Sequence, residues 1–96
     1  MKTADALNAV LAEFEFSPTA LAREIGGDCK RQTVEQWIRN GRVPASWCPG
    51  CERVVEGRVT CEQLSGPSVR WSRIKDRKWP WHPGGRPVLE VATAPS

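Results

Sequence analysis

The fold class that this sequence predicts is mainly α: a domain of four to five short helices built around a helix-turn-helix, with an extended or β-hairpin arm at its C-terminal end. Three observations carry that expectation. Apolar residues recur at helical spacing through residues 4–66, in short runs divided by capping and breaking residues. Residues 17–42, SPTALAREIGGDCKRQTVEQWIRNGR, have the pattern of two short helices around a glycine-containing turn. Past Ser65-Gly66-Pro67-Ser68 the pattern changes to strand-like alternation. The chain therefore divides into residues 1–66, the helix-turn-helix domain, and residues 67–96, a basic, tryptophan-rich arm.

Taken in order, residues 4–14 form a first helix. Thr3 suits its N-cap, Asp5 its first turn, and Leu7, Val10, Leu11 and Phe14 its apolar face. Phe16 is a hydrophobic N′ residue for the next helix, which starts at Ser17-Pro18. Leu21, Ala22 and Ile25 give that second helix its buried side, and Gly26 ends it. Asp28 caps a third helix with Val34, Trp37 and Ile38 inward, stopped by Gly41 and Val43-Pro44. Ser46 caps a fourth, with Pro49 in its first turn, Cys51, Val54 and Val55 inward, and Gly57 at its end. Thr60-Cys61-Glu62-Gln63 has the capping-box pattern for a last turn anchored by Leu64. Residues 69–74 and 86–91 alternate as strands, and the segment between them is too long for a tight turn. A loose hairpin and an extended arm both fit. The last five residues, ATAPS, are expected to fray.

Composition narrows the function. At 96 residues, 40% hydrophobic and 26% charged, the chain suits one soluble domain. No apolar run is long enough to span a bilayer, and the N-terminal stretch lacks a signal peptide's apolar core, so a cytoplasmic setting is expected. The net charge of +3 is unevenly placed. Residues 1–66 hold eight Lys/Arg against nine Asp/Glu, and residues 67–96 hold six against two. Residues 30–42 are locally basic, with Lys30, Arg31, Arg39 and Arg42 against Glu35 alone. Such a distribution suits a polyanionic partner. There is no nucleophile–base pair, phosphate-binding glycine loop or plausible carboxylate pair, so catalysis is not expected, and neither is a small-molecule substrate or cofactor.

The helix-turn-helix carries the sharpest functional expectation. A small residue, Ala22, sits where the helices meet, Gly26 follows, and Val34 and Trp37 anchor the second helix. The outer side carries Lys30, Arg31, Gln32, Thr33, Gln36 and Arg39. Arg and Gln match guanine and adenine edges, and Lys and Thr match phosphates. The bland alternative is a helical hairpin with a solvated polar face.

The run LAREIG…RQTVEQWIRNGRVPA, followed by Cys48-Pro49, Glu52-Arg53 and Val59-Thr60, resembles the YdaS/Cro-like group of prophage-encoded DNA-binding regulators, with Trp37 to Pro44 as the most specific part. The resemblance covers roughly residues 4–66 and implies a lambda-repressor-like helix-turn-helix fold. It also implies a small transcriptional regulator that binds double-stranded DNA, usually as a homodimer on a pseudo-palindromic operator. Carried over by position, residues 29–40 are the recognition helix, and Lys30, Arg31, Gln32 and Gln36 are the base readers. Ser17, Thr19, Thr33, Arg39, Arg42, Lys75 and Lys78 are expected on the DNA backbone. One departure stands out: Gly26 and Val34 are eight residues apart where six is usual, so two extra residues lengthen the turn or the start of the third helix. Part of the chain also resembles excisionases, and an antitoxin or antirepressor that grips a partner protein is a rival from another class.

Two further features need weighing. Cys29, Cys48, Cys51 and Cys61 include one C-x-x-C, which admits zinc or a redox pair. No second C-x-x-C accompanies it and His82 is distant in sequence, so no metal ligand is assigned and the thiols are taken as packing residues. Trp71, Trp79 and Trp81 are interleaved with Arg70, Arg73, Lys75, Arg77, Lys78 and Arg86. They suit cover for the helical domain or a dimer interface better than base stacking, with the basic residues left for phosphate.

Overall fold

The computed structural model describes residues 2–67 and 69–90. Five helices are followed by one antiparallel strand pair: α1 (Thr3–Ala12), α2 (Pro18–Ile25), α3 (Arg31–Asn40), α4 (Cys48–Val54), α5 (Cys61–Ser65), β1 (Trp71–Ile74) and β2 (Arg86–Leu89). The mainly helical class is as the sequence implies, and of the two forms left open for the arm the hairpin is the one observed. Trp71 pairs with Leu89 and Ile74 with Arg86, so the arm closes on itself as a loose hairpin. The expected strand end at Val91, the linker residue Ser68 and the last five residues lie outside the described residues. Among the described residues no helix is long and apolar enough to cross a membrane.

The core gathers one apolar stripe from each helix. Leu7, Val10 and Leu11 of α1, Leu21 and Ala22 of α2, and Val34 and Trp37 of α3 meet Cys48, Cys51, Val55, Cys61 and Leu64. Trp37 is 2% exposed and its ring lies 5.9 Å from that of Trp47. Burying a side chain of that size contributes roughly 3 kcal/mol from the hydrophobic term alone, which explains why a ten-residue helix with a polar remainder holds its place.

Several helix starts differ from the sequence expectation. Thr3 does not cap α1; Lys2 holds that position, and the Thr3 hydroxyl donates to the Gly41 carbonyl at 2.9 Å, tying the start of α1 to the end of α3. α1 ends at Ala12, two residues early, because the chain turns through Glu15 and Phe16, both at φ 56°. That turn points Phe16 to solvent at 63% exposure, so it staples nothing. Asp28 does not cap α3; Lys30 occupies the N-cap without a side-chain bond. Ser46 does not cap α4; a 3-10 turn, Ala45–Trp47, leads directly into it.

Two predicted caps form as expected. Ser17 Oγ accepts from the Ala20 N–H at 3.1 Å, and the Thr60–Gln63 capping box closes in both directions. Gly41 ends α3 in the left-handed conformation. That conformation costs most residues roughly 1–2 kcal/mol and glycine little.

Candidate nucleic-acid interface

The turn before α3 holds the two extra residues. Gly26–Lys30 separates the helices, Cys29 is buried within it, and the Cys29 N–H donates to the Gly26 carbonyl at 3.1 Å. The insertion therefore lengthens the turn and not the helix, and the expected recognition helix 29–40 begins at Arg31. Beneath the turn, Arg53 of α4 donates to the Ile25 carbonyl at 2.9 Å. A guanidinium there satisfies an end carbonyl of α2 and matches the negative end of its dipole.

α3 buries Val34 and Trp37 and turns the rest of its surface outward. Gln32, Gln36, Arg39 and Asn40 are exposed. Ile38 was expected inward but is 43% exposed, because two buried positions already complete the contact with α2 and the core. Of the four expected base readers, Gln32 and Gln36 share the side opposite the core. Arg31 is exposed but lies 3.7 Å from Glu35, one turn on. Lys30 stands exposed at the helix start. Among the described residues the side chains of Gln32, Gln36, Arg39 and Arg42 have no hydrogen-bond or ion-pair partner.

The expected backbone contacts fall in two places. Ser17 and Thr19 lie at the start of α2, with the Ser17 hydroxyl oxygen committed to its cap and Thr19 exposed. Thr33 is half-buried on α3, and Arg39 and Arg42 are exposed near its end. Lys75 and Lys78 lie instead on the hairpin loop, where Lys75 Nζ donates to the Pro83 carbonyl. No hydrogen bond or ion pair among the described residues joins that loop to α3.

What the hairpin does touch is α4 and α5, through a residue to which the sequence reading assigned no role. Glu52 is fully buried, yet its carboxylate is saturated. It accepts two bonds from the Arg73 guanidinium at 2.7 and 2.8 Å, one from the Cys61 N–H at 2.9 Å and one from the Trp79 indole at 2.9 Å. Arg73 also bonds Glu62 at 2.7 Å and the Gly85 carbonyl at 3.1 Å. Burial by itself raises a carboxyl pKa; here the bonds from Arg73, Cys61 and Trp79 outweigh it and hold Glu52 below its ordinary value of 4.5. The Trp71 indole adds a bond to Ser65 at 2.9 Å. Trp71 and Trp79 therefore cover the helical domain, and Arg73 is an internal ion pair, which removes it from the basic residues expected to meet phosphate. A glutamate placed among Cys51, Val54 and Val55 was the available signal, since a buried carboxylate demands a cation.

The family model described as bacterial toxin YdaS matches residues 12–74. The chain belongs to the bacterial toxin YdaS family. The resemblance carried by Trp37 to Pro44 is thus borne out. No curated relative and no solved structure matches the chain. The YdaS match runs from the end of α1 through β1, so it includes the helix-turn-helix and both Glu52 and Arg73. Trp79 and β2 lie beyond it.

All four cysteines of this YdaS-family chain are buried and unpaired with one another. Burial, and to a lesser degree the Glu52 carboxylate, push the Cys48 thiol up to about 12, against a smaller pull from Arg42. Burial raises Cys29, Cys51 and Cys61 as well. Cys48 Sγ donates to the Pro44 carbonyl at 3.4 Å, so it also fastens the loop after α3. All four thiols pack into the core, and their burial disfavours the thiolate, the reactive form of a cysteine.

Proposed function

We propose that the chain is a sequence-specific DNA-binding transcriptional regulator of prophage type that acts by occupying an operator. Its mechanism is binding without chemistry. The observation that carries this is the division of α3: Val34 and Trp37 fix it to the core, and its opposite side is polar, without partners among the described residues, and flanked by Lys30, Arg39 and Arg42. A helix so held suits the major groove, which admits an α-helix and displays a distinct donor and acceptor pattern for each base pair. The start of α2 would meet phosphate, and Lys75 and Lys78 would add backbone contacts from the hairpin. A homodimer on a pseudo-palindromic site is the expected assembly.

Selection of bound duplexes from a random library by the purified chain tests this. A palindromic motif with half-sites about one helical turn apart is the expected result. No enriched motif would overturn it. Lys75→Ala or Lys78→Ala should flatten the salt dependence of binding by up to about one unit each on any sequence.

The family description favours a second reading, in which the chain is toxic when overproduced. The two readings make different demands on α3. If toxicity follows from occupying DNA, Gln36→Ala with Arg39→Ala removes growth arrest together with DNA binding. Arrest that survives this double substitution assigns toxicity to another surface.

A further inference from the structure

Resting on the DNA-binding reading, we propose that Gln32, Gln36 and Arg39 form the base-reading edge of α3, so that each half-site carries two adenines and a guanine in that order along the helix. Helix geometry brings the three together. At 3.6 residues per turn, Gln36 is rotated about 40° from Gln32 and Arg39 about 20° to the other side, whereas Val34 and Trp37 lie about 140–160° away. Since those two residues are buried, the three side chains point away from the core as one stripe.

Chemistry then assigns the bases. A glutamine amide presents one donor and one acceptor, which fit adenine N6 and N7. A guanidinium presents only donors, which fit guanine O6 and N7. The other two expected readers stand outside the stripe. Arg31 lies on the flank beside Glu35, and Lys30 sits at the N-cap, a place suited to phosphate. Arg39, expected on the backbone from sequence, changes role because it completes the stripe. Along the axis the steps are about 6 Å and 4.5 Å at 1.5 Å per residue, against 3.4 Å per base pair. The three bases therefore fall within about four consecutive base pairs.

The test repeats selection from random duplex DNA with the intact wild-type chain and with Gln32→Ala, Gln36→Arg and Arg39→Ala. All three positions are exposed, so folding is retained, which circular dichroism checks. The wild type is expected to enrich adenine, adenine and guanine, with each wrong base costing about 5- to 150-fold in affinity. Gln36→Arg is expected to change one adenine to guanine and leave the other positions alone, a gain that misfolding cannot mimic. A motif whose positions ignore all three substitutions would overturn the stripe while leaving operator binding intact. No motif for the wild type would overturn the DNA-binding reading, and this inference with it.

Discussion

Replacing Arg73 with alanine should do more damage than any other single change to the hairpin. The substitution leaves Glu52, which is fully buried, without the cation that donates two of its four bonds. It also strips Glu62 and the Gly85 carbonyl of their donor. Removing one partner of a buried ion pair costs about 3–5 kcal/mol, chiefly because the other charge stays behind without compensation. A small domain has only about 5–15 kcal/mol in total, and each kcal/mol moves Tm by roughly 4–8 °C at this size. The variant should therefore melt at least about 12 °C below the wild type, or lose its fold at 37 °C. Urea unfolding at pH 7, followed by tryptophan fluorescence, measures the loss. Glu52→Gln combined with Arg73→Met should recover much of it, because the orphan charge goes with the pair. A loss below about 1 kcal/mol for Arg73→Ala would refute the reasoning, since that is what an exposed pair gives.

Other consequences follow from the same contacts. Glu52 and Glu62 both titrate below the ordinary carboxyl value of 4.5, so their contribution to stability is complete above that value and is lost as pH falls through their folded values. Stability measured from about pH 6 to pH 2 should fall less steeply for Glu52→Gln than for the wild type. Gly57→Ala should destabilise by about 2–4 kcal/mol in thermal melts, since Gly57 sits at φ +80° and a Cβ there would overlap the Trp81 carbonyl. Native protein should be inert to an aromatic disulfide reagent at pH 7 and should yield all four thiols in denaturant, because each is buried and raised above its ordinary value.

Local chemistry made most helices legible. Ser17-Pro18 and the Thr60–Gln63 box act within four residues, and a sequence window contains everything they use. Thr3, Asp28 and Ser46 have the right side chains for caps and do not cap. Thr3 finds a carbonyl 38 residues away, and Ser46 lies within the 3-10 turn that leads directly into α4. Ile38 fits helical periodicity as well as Trp37 does, but periodicity cannot say how wide the neighbouring surface is. Glu52 was the largest omission. Its meaning depends on Arg73, 21 residues on, and on Trp79, 27 residues on. A carboxylate reads as a solvated surface group until its partners are placed.

That same network changes how the charge of the molecule should be counted. The net +3 averages cations used internally with cations left on the surface. Arg73 is neutralised between Glu52 and Glu62, Arg58 between Glu13 and Glu56, Arg86 by Asp76 and Arg31 by Glu35. Those pairings consume six of the eleven acidic residues. Lys30, Arg39 and Arg42 have no ion-pair partner among the described residues, and the one acid on that segment, Glu35, is already beside Arg31. The field outside α3 is therefore more positive than the slightly acidic total of residues 1–66 implies, and a polyanion would meet it at the segment where the unpartnered glutamines also lie.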